Sequence, residues 1–520
     1  MDSEERNILY NENVIPSALE VAKNHDFNPQ FNKKMLKKID KWDDKISDEE
    51  RSKRVDLTGE LFVTIDGEDT KDFDDAICVE KMSHGTFRVL VSIADVAHFV
   101  KEDSLLDQDA LKRGTSLYLI DTVLPMLPRK LSNDLCSLMP QKERLTLTVE
   151  MIVNKQGEVI RNKIYESVIK SKSKLTYENI NSFVKGEADL IVDEAIEGTE
   201  EQWRIEQMVQ ECVQLQKILQ AKRVRRGTLD FAFEESSIEL DENHKPIDIK
   251  PYDRGVGNRI IEELMILTNE VVAKRFYDMG VPFLYRIHEH PKEESIGEVY
   301  NFVSELDYML PKTLSTKDTQ KVLDQARGQK EEETVNLLLL QAMKKAKYYH
   351  EEVGHFGLGC QYYSHFTSPI RRYPDLFIHR IIKNWLHKTL SSSRIKELKP
   401  KAEMVGRISS IQERKAQDAE VYYDNVKKIE YAYDNLIGQE FVGVVIGIND
   451  KRLEVKLPNT ITGVLSLSNM GNYEIVTPRI CVQDIDTEEQ IVIGDKIKVK
   501  VGQVYIVEQV VVLEKVEEKE

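Results

Sequence analysis

The sequence predicts an α+β fold in which a large mixed domain precedes a small all-β domain. From Leu57 to about Leu147, apolar β-rich runs alternate with turns. From about Glu201 onward, the apolar residues recur mainly with helical spacing. After Ile437 the chain changes to short β-branched runs separated by Gly and Asn, which is typical of a small barrel.

Local patterns place the individual elements along the chain. Residues 1–55 are polar and charged, with short helical patterns at 17–23 and 32–42, and the β-rich part contains runs at 87–93 and 145–151. Amphipathic helices are predicted at 205–225 and 335–350, and barrel strands at 441–446, 453–457, 463–467 and 496–502.

Length and charge narrow the class of protein. A chain of 520 residues exceeds one ordinary core, and length alone would divide it into about three domains. The net charge of −17 is unfavourable for a nucleic-acid partner unless local cations outweigh it. The basic residues that could line a channel, although such clusters are also typical of solvated faces, are Lys172, Lys174, Lys222, Arg223, Arg225, Arg226, Arg371 and Arg372.

The five cysteines are scattered and form no Cys-x-x-Cys pair. They predict neither a disulfide framework nor a zinc site, but the reduced thiols of a cytoplasmic protein. No signal peptide opens the chain and no run of about eighteen apolar residues occurs, which disfavours export and membrane insertion. Because no amphipathic docking helix is recognisable, we expect a monomer without an obligate protein partner.

The densest functional signal is a group of aspartates that directly follows an apolar run at 61–65. Asp66, Asp72, Asp74 and Asp75 lie within ten residues, and converging carboxylates stay ionised only if a cation neutralises them. Hard oxygen ligands suit Mg²⁺, with Mn²⁺ as a substitute. The alternatives are a solvated acidic loop and a calcium loop, of which the latter lacks the alternating ligands and closing Glu of an EF-hand.

The spacing of these acids resembles the first motif of the catalytic domain in the RNase II and RNase R family, the RNB-type 3′-to-5′ exoribonucleases. Further segments are similar to the family in their order and distance. They are 114–121 with 124–138, 174–178, 258–265, 355–359 with 367–375 and 379–380, and 410–414. The resemblance covers roughly residues 15 to 430.

The resemblance implies a helical lead-in at 1–55, an RNB-type catalytic domain at 56–435 with a mixed sheet surrounded by helices, and an OB-fold of the ribosomal S1 type at 438–515. RNase R-like members carry cold-shock domains ahead of this region, which we expect to be lacking here. In the barrel, residues 449–453 replace the usual aromatic platform, and 14 acids face 9 bases over 438–520. Because stacking contributes roughly 1–3 kcal/mol per base, a wall-building role fits this barrel at least as well as RNA binding.

The implied activity is metal-dependent hydrolysis of single-stranded RNA from its 3′ end, processively, to nucleoside 5′-monophosphates and a short end product. A two-metal site, with Mg²⁺ ions roughly 3.5–4 Å apart, would clamp the attacking and leaving oxygens. The resemblance makes Asp74 the acid most critical to the reaction, Asp66 and Asp75 ligands of the first metal, and Asp72 a residue of the second metal or its water.

The resemblance also implies which residues hold the RNA. Arg371 would contact the scissile phosphate, because a planar guanidinium binds phosphate better than Lys does. The alternative for Arg371 or Arg372 is a structural ion pair with Asp375 or Glu413, and we expect Arg372 to have that structural role. The predicted RNA-binding residues are Tyr118 and Phe231 as base clamps, Tyr177 and Glu262 at the ribose, and Glu413 in the final active-site helix. For Glu262, a surface ion pair with Arg259 is the alternative.

Two other functions stay open at this point. One is a non-catalytic RNA-binding protein on a decayed nuclease domain, which the complete set of Asp66, Asp72, Asp74, Asp75 and Arg371 disfavours. The other is an exonuclease of short oligonucleotides with relaxed sugar selectivity. Removing the 2′-hydroxyls of the last nucleotides would discriminate between the second possibility and an RNA-specific enzyme.

Overall fold

A seven-stranded sheet forms the centre of the large domain in the computed structural model, which describes residues 15–231, 234–309, 315–477 and 479–516. The first elements, in chain order, are α1 (Ala18–Asn24), α2 (Lys33–Ile39), α3 (Asp48–Ser52), β1 (Val55–Asp56), β2 (Val63–Asp66), β3 (Asp75–Lys81), β4 (Phe87–Ala94), α4 (Val96–Phe99), α5 (Leu105–Arg113), β5 (Leu117–Leu119), β6 (Thr122–Leu124), β7 (Glu143–Val153), β8 (Val159–Lys170), β9 (Ser173–Thr176) and α6 (Tyr177–Lys185).

The sheet has the strand order β1-β8-β7-β4-β3-β2-β9. Strands β8 to β2 run antiparallel to their neighbours, whereas β9 is parallel to β2 and β1 is parallel to β8. The apolar runs predicted at 87–93 and 145–151 lie in β4 and β7, which are buried along most of their length. The predicted mixed sheet is therefore confirmed.

Helices surround this sheet. The elements that follow are α7 (Glu200–Arg226), β10 (Ser236–Leu240), β11 (Pro246–Pro251), α8 (Val256–Asp278), β12 (Tyr285–Ile287), α9 (Glu293–Ser304), α10 (Thr316–Ala326), α11 (Glu332–Ala342), β13 (Lys347–Tyr349), α12 (Tyr373–Leu386) and α13 (Ser392–Asn435). Within the described ranges, no helix combines the length and the apolar character needed to cross a membrane.

Of the two predicted long helices, one is confirmed and the other ends earlier than predicted. The helix predicted at 205–225 is confirmed and lies within α7. The helix predicted at 335–350 is wrong beyond residue 342, because Met343 adopts an extended backbone and β13 then pairs with β12. Aromatic residues Tyr348 and Tyr349 favour a strand at this point.

The C-terminal part is a closed, OB-like barrel. Its strands are β14 (Glu440–Ile448), β15 (Arg452–Lys456), β16 (Thr462–Ser466), β17 (Tyr473–Thr477), β18 (Cys481–Asp484), β19 (Gln490–Val492), β20 (Lys496–Tyr505) and β21 (Val510–Lys515). The barrel closes in the order β14-β15-β16-β21-β20, and β17 to β19 form a separate small sheet. The four predicted barrel runs lie on β14, β15, β16 and β20, so the predicted fold class is confirmed.

The barrel does not stand apart from the helices before it. Val322, Val335 and Leu339 from α10 and α11 belong to the same buried cluster as Val445 and Leu453 of the barrel. Charged pairs border this contact, such as Lys330 with Asp495 at 2.8 Å and Lys456 with Glu333 at 2.6 Å. The barrel thus completes a core that α9 to α11 begin.

A buried histidine fixes α12 beneath the loop that precedes it. The Nε2–H of His379 donates to the carbonyl oxygen of Phe366 at 2.8 Å, and the side chain is completely buried. Burial lowers the pKa of His379 to about 4. The ring is therefore neutral in the folded protein at neutral pH.

We expect this histidine to weaken the fold on acidification. The unfolded chain takes up the proton below a pKa of about 6.5, whereas the folded protein takes it up only near pH 4, so stability is lost as the pH falls between these values. Between about pH 7.5 and about pH 5, the loss from His379 is about 2 kcal/mol. Urea unfolding should show a smaller decrease for His379→Gln, which keeps a donor for Phe366. Equal decreases for the two proteins would contradict this role.

Candidate active site

Asp66 and Tyr177 meet at one edge of the sheet because their strands are parallel. Asp66 ends β2 and is paired with Thr176, the last residue of β9. The side chain of Thr176 accepts a hydrogen bond from the N–H of Asn179 and caps α6, so Tyr177 begins this helix directly beside Asp66. The carboxylate of Asp66 and the ring of Tyr177 therefore lie at the same end of the sheet.

Phe73 anchors the loop that carries the other acids. Its ring is buried, its N–H donates to Oγ of Ser137 at 3.1 Å, and its carbonyl accepts the N–H of Leu138 at 3.0 Å. Asp72 and Asp74 flank this anchor, and Asp75 begins β3. The loop is therefore built into the fold, and the alternative of a solvated surface loop is wrong.

These acids line a cavity of about 560 Å³, which we call the acidic cavity. Eight predicted site residues line it: Asp66, Asp72, Asp74, Asp75, Tyr118, Tyr177, Glu262 and Arg371. Its other lining residues are Thr70, Ile261, Met265, Ile266, Asn269, Tyr363, Thr367, Ser368 and Arg372. One wall is thus the acid-bearing sheet edge, and another is the face of α8.

The environment of the cavity disfavours the ionised form of its acids. Burial and the neighbouring charges of Asp75 and Asp72 raise the pKa of Asp66 well above its usual value. Burial also raises the pKa of Asp74, and it raises that of Asp75 to about 6. The Oδ2 atoms of Asp66 and Asp74 are buried and have no hydrogen-bond partner within the protein.

Arg371 is the cation nearest to Asp74, yet it does not neutralise the cluster. Its Nε lies 3.8 Å from Oδ2 of Asp74, and its Nη2 donates to Oγ of Ser368 at 3.1 Å. The Arg371 side chain is 43% exposed. The N–H of Ile370 donates to Oδ1 of Asp74 at 2.8 Å and fixes this loop against the acids. The guanidinium therefore remains open to an anion in the cavity.

Arg372 has the opposite environment, as predicted. Its Nη2 donates to Oδ1 of Asp375 at 2.7 Å, and the Asp375 side chain is fully buried. The same carboxylate oxygen accepts the N–H of Ser368 at 2.8 Å. Although burial opposes the charge, the Asp375 carboxylate helps to raise the pKa of Arg372. This pair holds the turn that presents Arg371.

Tyr118 connects its strand to the acids. Its hydroxyl donates to Oδ2 of Asp72 at 2.7 Å, and its backbone N–H donates to Oε1 of Glu420 at 3.2 Å. Burial and the carboxylate of Asp72 raise the pKa of the Tyr118 hydroxyl, although the charge of Arg371 opposes the shift. The hydroxyl therefore stays protonated and acts as a donor.

The donor chemistry of the cavity fits a hard divalent cation. The carboxylates of Asp66, Asp74 and Asp75 are oxygen donors, and two of them carry a buried oxygen without a partner. Among residues 15–231, 234–309, 315–477 and 479–516, however, no three His, Cys, Asp or Glu side chains are arranged to hold an ion as they stand. Asp72 has a different environment from the other three acids, because its Oδ2 accepts the hydroxyl of Tyr118.

Two predicted RNA-binding residues lie outside the cavity lining. Phe231 packs against the core shared by the barrel and α9 to α11. Glu413 is paired with Arg286, whose Nη1 lies 2.5 Å from its Oε2, and the Arg286 guanidinium stacks on Tyr348. Local packing and charge pairing thus occupy both side chains, and their proposed contacts with RNA stay predictions.

The eight basic residues of the predicted channel do not all line this cavity, and their role in a channel stays a prediction. Only Arg371 and Arg372 of the eight basic residues line the cavity. Arg223 pairs instead with Glu262 at 3.1 Å and with Glu263 at 3.0 Å, so the suggested partner of Glu262, Arg259, is wrong. Glu262 remains 45% exposed and faces the cavity.

Sequence reasoning missed several lining residues on α8. Met265 and Asn269 lie three and seven residues after Glu262, which places all three on one helical face. Asn269 is buried, and its Oδ1 accepts the N–H of Phe366 at 2.8 Å. Helical spacing from Glu262 could have identified this wall, and Ser368 lies in the family-like segment 367–375, whereas no local signal pointed to Tyr363.

We expect the two adjacent arginines to differ in their contribution to stability. Arg372→Ala leaves the buried Asp375 carboxylate uncompensated and should lower the free energy of unfolding by about 3–5 kcal/mol. Arg371→Ala removes a half-exposed side chain and should change it by less than about 1 kcal/mol. Urea unfolding of the two variants measures this difference. Similar values for both would show that Arg372 is not a structural ion-pair residue.

Comparisons with known proteins agree with this geometry. Residues 54–388 match the RNB domain family. The chain is 41% identical to ribonuclease R of Thermotoga maritima, over 81% of this chain and 59% of that protein, and 36% identical to ribonuclease R 1 of Lactococcus lactis, over 88% and 55%. The chain thus spans somewhat more than half the length of these relatives.

A solved structure shows the same fold. Mycoplasma genitalium RNase R in complex with ribose-methylated single-stranded RNA superposes with a TM-score of 0.86 at 27% identity, covering 96% of this chain and 77% of that one. The RNB match covers most of the chain, and the M. genitalium structure covers 96% of it, so the structural likeness extends to the barrel as well as the sheet. The chain belongs to the RNB family, in its ribonuclease R-type branch.

Proposed function

We propose that the chain is a metal-dependent, hydrolytic 3′-to-5′ exoribonuclease, which degrades single-stranded RNA processively to nucleoside 5′-monophosphates and a short end product. The observation that carries the proposal is the acidic cavity. It combines four aspartates, an open guanidinium and three tyrosines in one space. Carboxylates supply metal ligands, the guanidinium suits a phosphate, and the tyrosine rings suit a terminal nucleotide.

The aspartates and Arg371 have complementary tasks in this proposal. Asp66, Asp74 and Asp75, together with Asp72, would hold Mg²⁺ or Mn²⁺ through carboxylate oxygens. Such ions, when bound, relieve the repulsion between an anionic phosphodiester and its nucleophile. Arg371 stabilises negative charge that develops on the phosphate, since its guanidinium is exposed to the cavity and is fixed at one edge by Ser368.

The remaining polar residues would orient the end of the RNA. The ring of Tyr118 offers a stacking face for any base, which gives cleavage from an end without sequence preference. The ring of Tyr177 and the carboxylate of Glu262 lie on two sides of the same cavity. A carboxylate can accept a hydrogen bond from a ribose 2′-hydroxyl, so Glu262 would favour RNA over DNA.

The names of the relatives support the substrate, and the cysteines of this chain support the compartment, both less directly. The relatives that the chain matches are named ribonuclease R, and the M. genitalium protein was solved with single-stranded RNA. All cysteines in the described ranges are free thiols, and only Cys360 is not buried, which fits a reducing cytoplasm. We propose a cytoplasmic monomer whose partner is single-stranded RNA.

The proposed activity is tested by the degradation of a 5′-labelled single-stranded RNA. With Mg²⁺ or Mn²⁺, we expect shortening to a short labelled product with release of mononucleotides, and no reaction with EDTA. Asp74→Asn should slow cleavage at least about a hundredfold, since Asn retains the oxygen that accepts the Ile370 N–H but lacks the charge.

A matched control is Asp69→Asn, because Asp69 is an exposed acid of the same loop that does not line the cavity. This variant should retain wild-type cleavage. RNA that stays intact with every metal, but still shifts on a gel with the wild-type protein, would contradict the enzyme and support an RNA-binding protein on a decayed nuclease domain.

Sugar selectivity gives a second prediction. We expect a substrate that lacks the 2′-hydroxyls of its last nucleotides to be cleaved at least roughly tenfold more slowly, because the acceptor on Glu262 then loses its donor. Glu262→Ala should reduce this discrimination, whereas Arg259→Gln, an exposed change on the same helix, should not. Equal cleavage of both substrates by the wild-type protein would indicate an oligonucleotide exonuclease with relaxed sugar selectivity.

A further inference from the structure

Tyr118 lies on a hairpin whose position is set by α13. The hairpin consists of β5 and β6, which pair directly across Tyr118 and Val123. Its apolar side chains pack on α13 in a small cluster that contains Leu117, Leu119, Leu124, Ala416, Ala419 and Tyr423. The support of Tyr118 is therefore a helix more than 250 residues away in the sequence.

Two hydrogen bonds fix the hairpin to this helix. Oε1 of Glu420 accepts the backbone N–H of Tyr118 at 3.2 Å. One helical turn further, the hydroxyl of Tyr423 donates to Oδ2 of Asp121 in the hairpin turn at 2.9 Å. The apolar contact alone would allow the hairpin to slide along α13, whereas these directional bonds define its position.

The hydrogen bond to Glu420 bears on the acidic cavity because the side chain of the same residue, Tyr118, reaches into that cavity. The Tyr118 hydroxyl donates to Oδ2 of Asp72 at 2.7 Å. Glu420 is itself absent from the residues that line the cavity. A side chain outside the site is thus connected to one of its acids through the backbone and the ring of a single residue.

We propose that Glu420 is a positioning residue for the cleavage reaction, whose carboxylate oxygen fixes the Tyr118 backbone and thereby the ring and hydroxyl that Tyr118 presents to the RNA end and to Asp72. This role rests on the proposed function of the cavity. The positioning role requires an acceptor oxygen at a defined distance from the backbone of α13. It does not require a negative charge. Glu420 itself touches neither the RNA nor the reacting atoms.

The environment of Glu420 agrees with a role for the oxygen and not for the charge. Burial raises the pKa of Glu420 above its usual value, and the nearby Asp424 adds to this shift. The hydrogen bond from Tyr118 and the charge of Arg371 oppose it. A neutral side chain with the same reach would serve the hairpin as well.

Two conservative substitutions distinguish the effect of the position of the acceptor oxygen from the effect of the negative charge. Glu420→Gln keeps the acceptor oxygen at the same distance from the helix and removes the charge. Glu420→Asp keeps the charge and withdraws the oxygen by one methylene, or about 1.5 Å. The control is Asp418→Ala, because Asp418 is an exposed acid of the same helix.

We would measure steady-state kcat and KM for single-stranded RNA with Mg²⁺, with urea unfolding as a check of the fold. We expect Glu420→Asp to lower kcat by roughly tenfold to a hundredfold with KM within about twofold, since misplacing a positioned group affects the reaction more than the binding of a long substrate. Glu420→Gln and Asp418→Ala should retain wild-type kcat. A loss in Glu420→Gln as large as in Glu420→Asp would overturn the proposal, because the charge would then be the required feature.

A double-mutant cycle with Tyr118→Phe tests the connection itself. Tyr118→Phe keeps the ring and the backbone N–H but removes the bond to Asp72, so Glu420→Asp should lower kcat less in this background than in the wild type. Equal factors in both backgrounds would overturn the role through Tyr118. An inactive wild-type protein would overturn the proposed function as a whole, whereas an active wild type with a normal Glu420→Asp would overturn the role of Glu420 alone.

Discussion

The repulsion among buried carboxylates at the ends of β2 and β3 is the constraint on which the surrounding structure depends. Burial makes the ionised forms of Asp66, Asp74 and Asp75 unfavourable, and the guanidinium of Arg371, 3.8 Å from Asp74, remains half-exposed. Such a cluster opposes folding, so it persists only because its backbone is held from several directions. Phe73 is buried beneath it, and the N–H of Ile370 donates into it.

The same constraint explains why adjacent residues have different environments. Arg372 is used up in a buried pair with Asp375, and this pair fixes the turn on which Arg371 projects into the cavity. If both guanidinium groups pointed at the acids, they would neutralise the charge that is needed to attract a divalent cation. Arg372 thus stabilises the turn, whereas Arg371 remains available to an anionic ligand.

Local sequence could predict the parts of this site that depend on short spacing. The acids lie within ten residues, and the apolar run before Asp66 indicates a strand end, so both the cluster and its sheet edge were predictable. Tyr118, Tyr177 and Arg371 followed from family motifs. Phe231 packs against a core built largely from α9 to α11 and the barrel, and Glu413 pairs with Arg286, 127 residues earlier in the sequence, so their contacts with RNA stay predictions. Long-range contacts of this kind leave no local pattern.

The long helix α13 connects the barrel to the hairpin that borders the acidic cavity. Along its length it carries Glu420 against the hairpin of Tyr118, and it ends at Asn435, shortly before β14. Ile429 and Ala432 of its last turns lie in the core that the barrel shares with α9 to α11. The barrel therefore holds the C-terminal end of the helix that supports Tyr118. The apolar side chains of the barrel serve this packing, which agrees with the absence of aromatic residues at 449–453, where a base-stacking platform would lie.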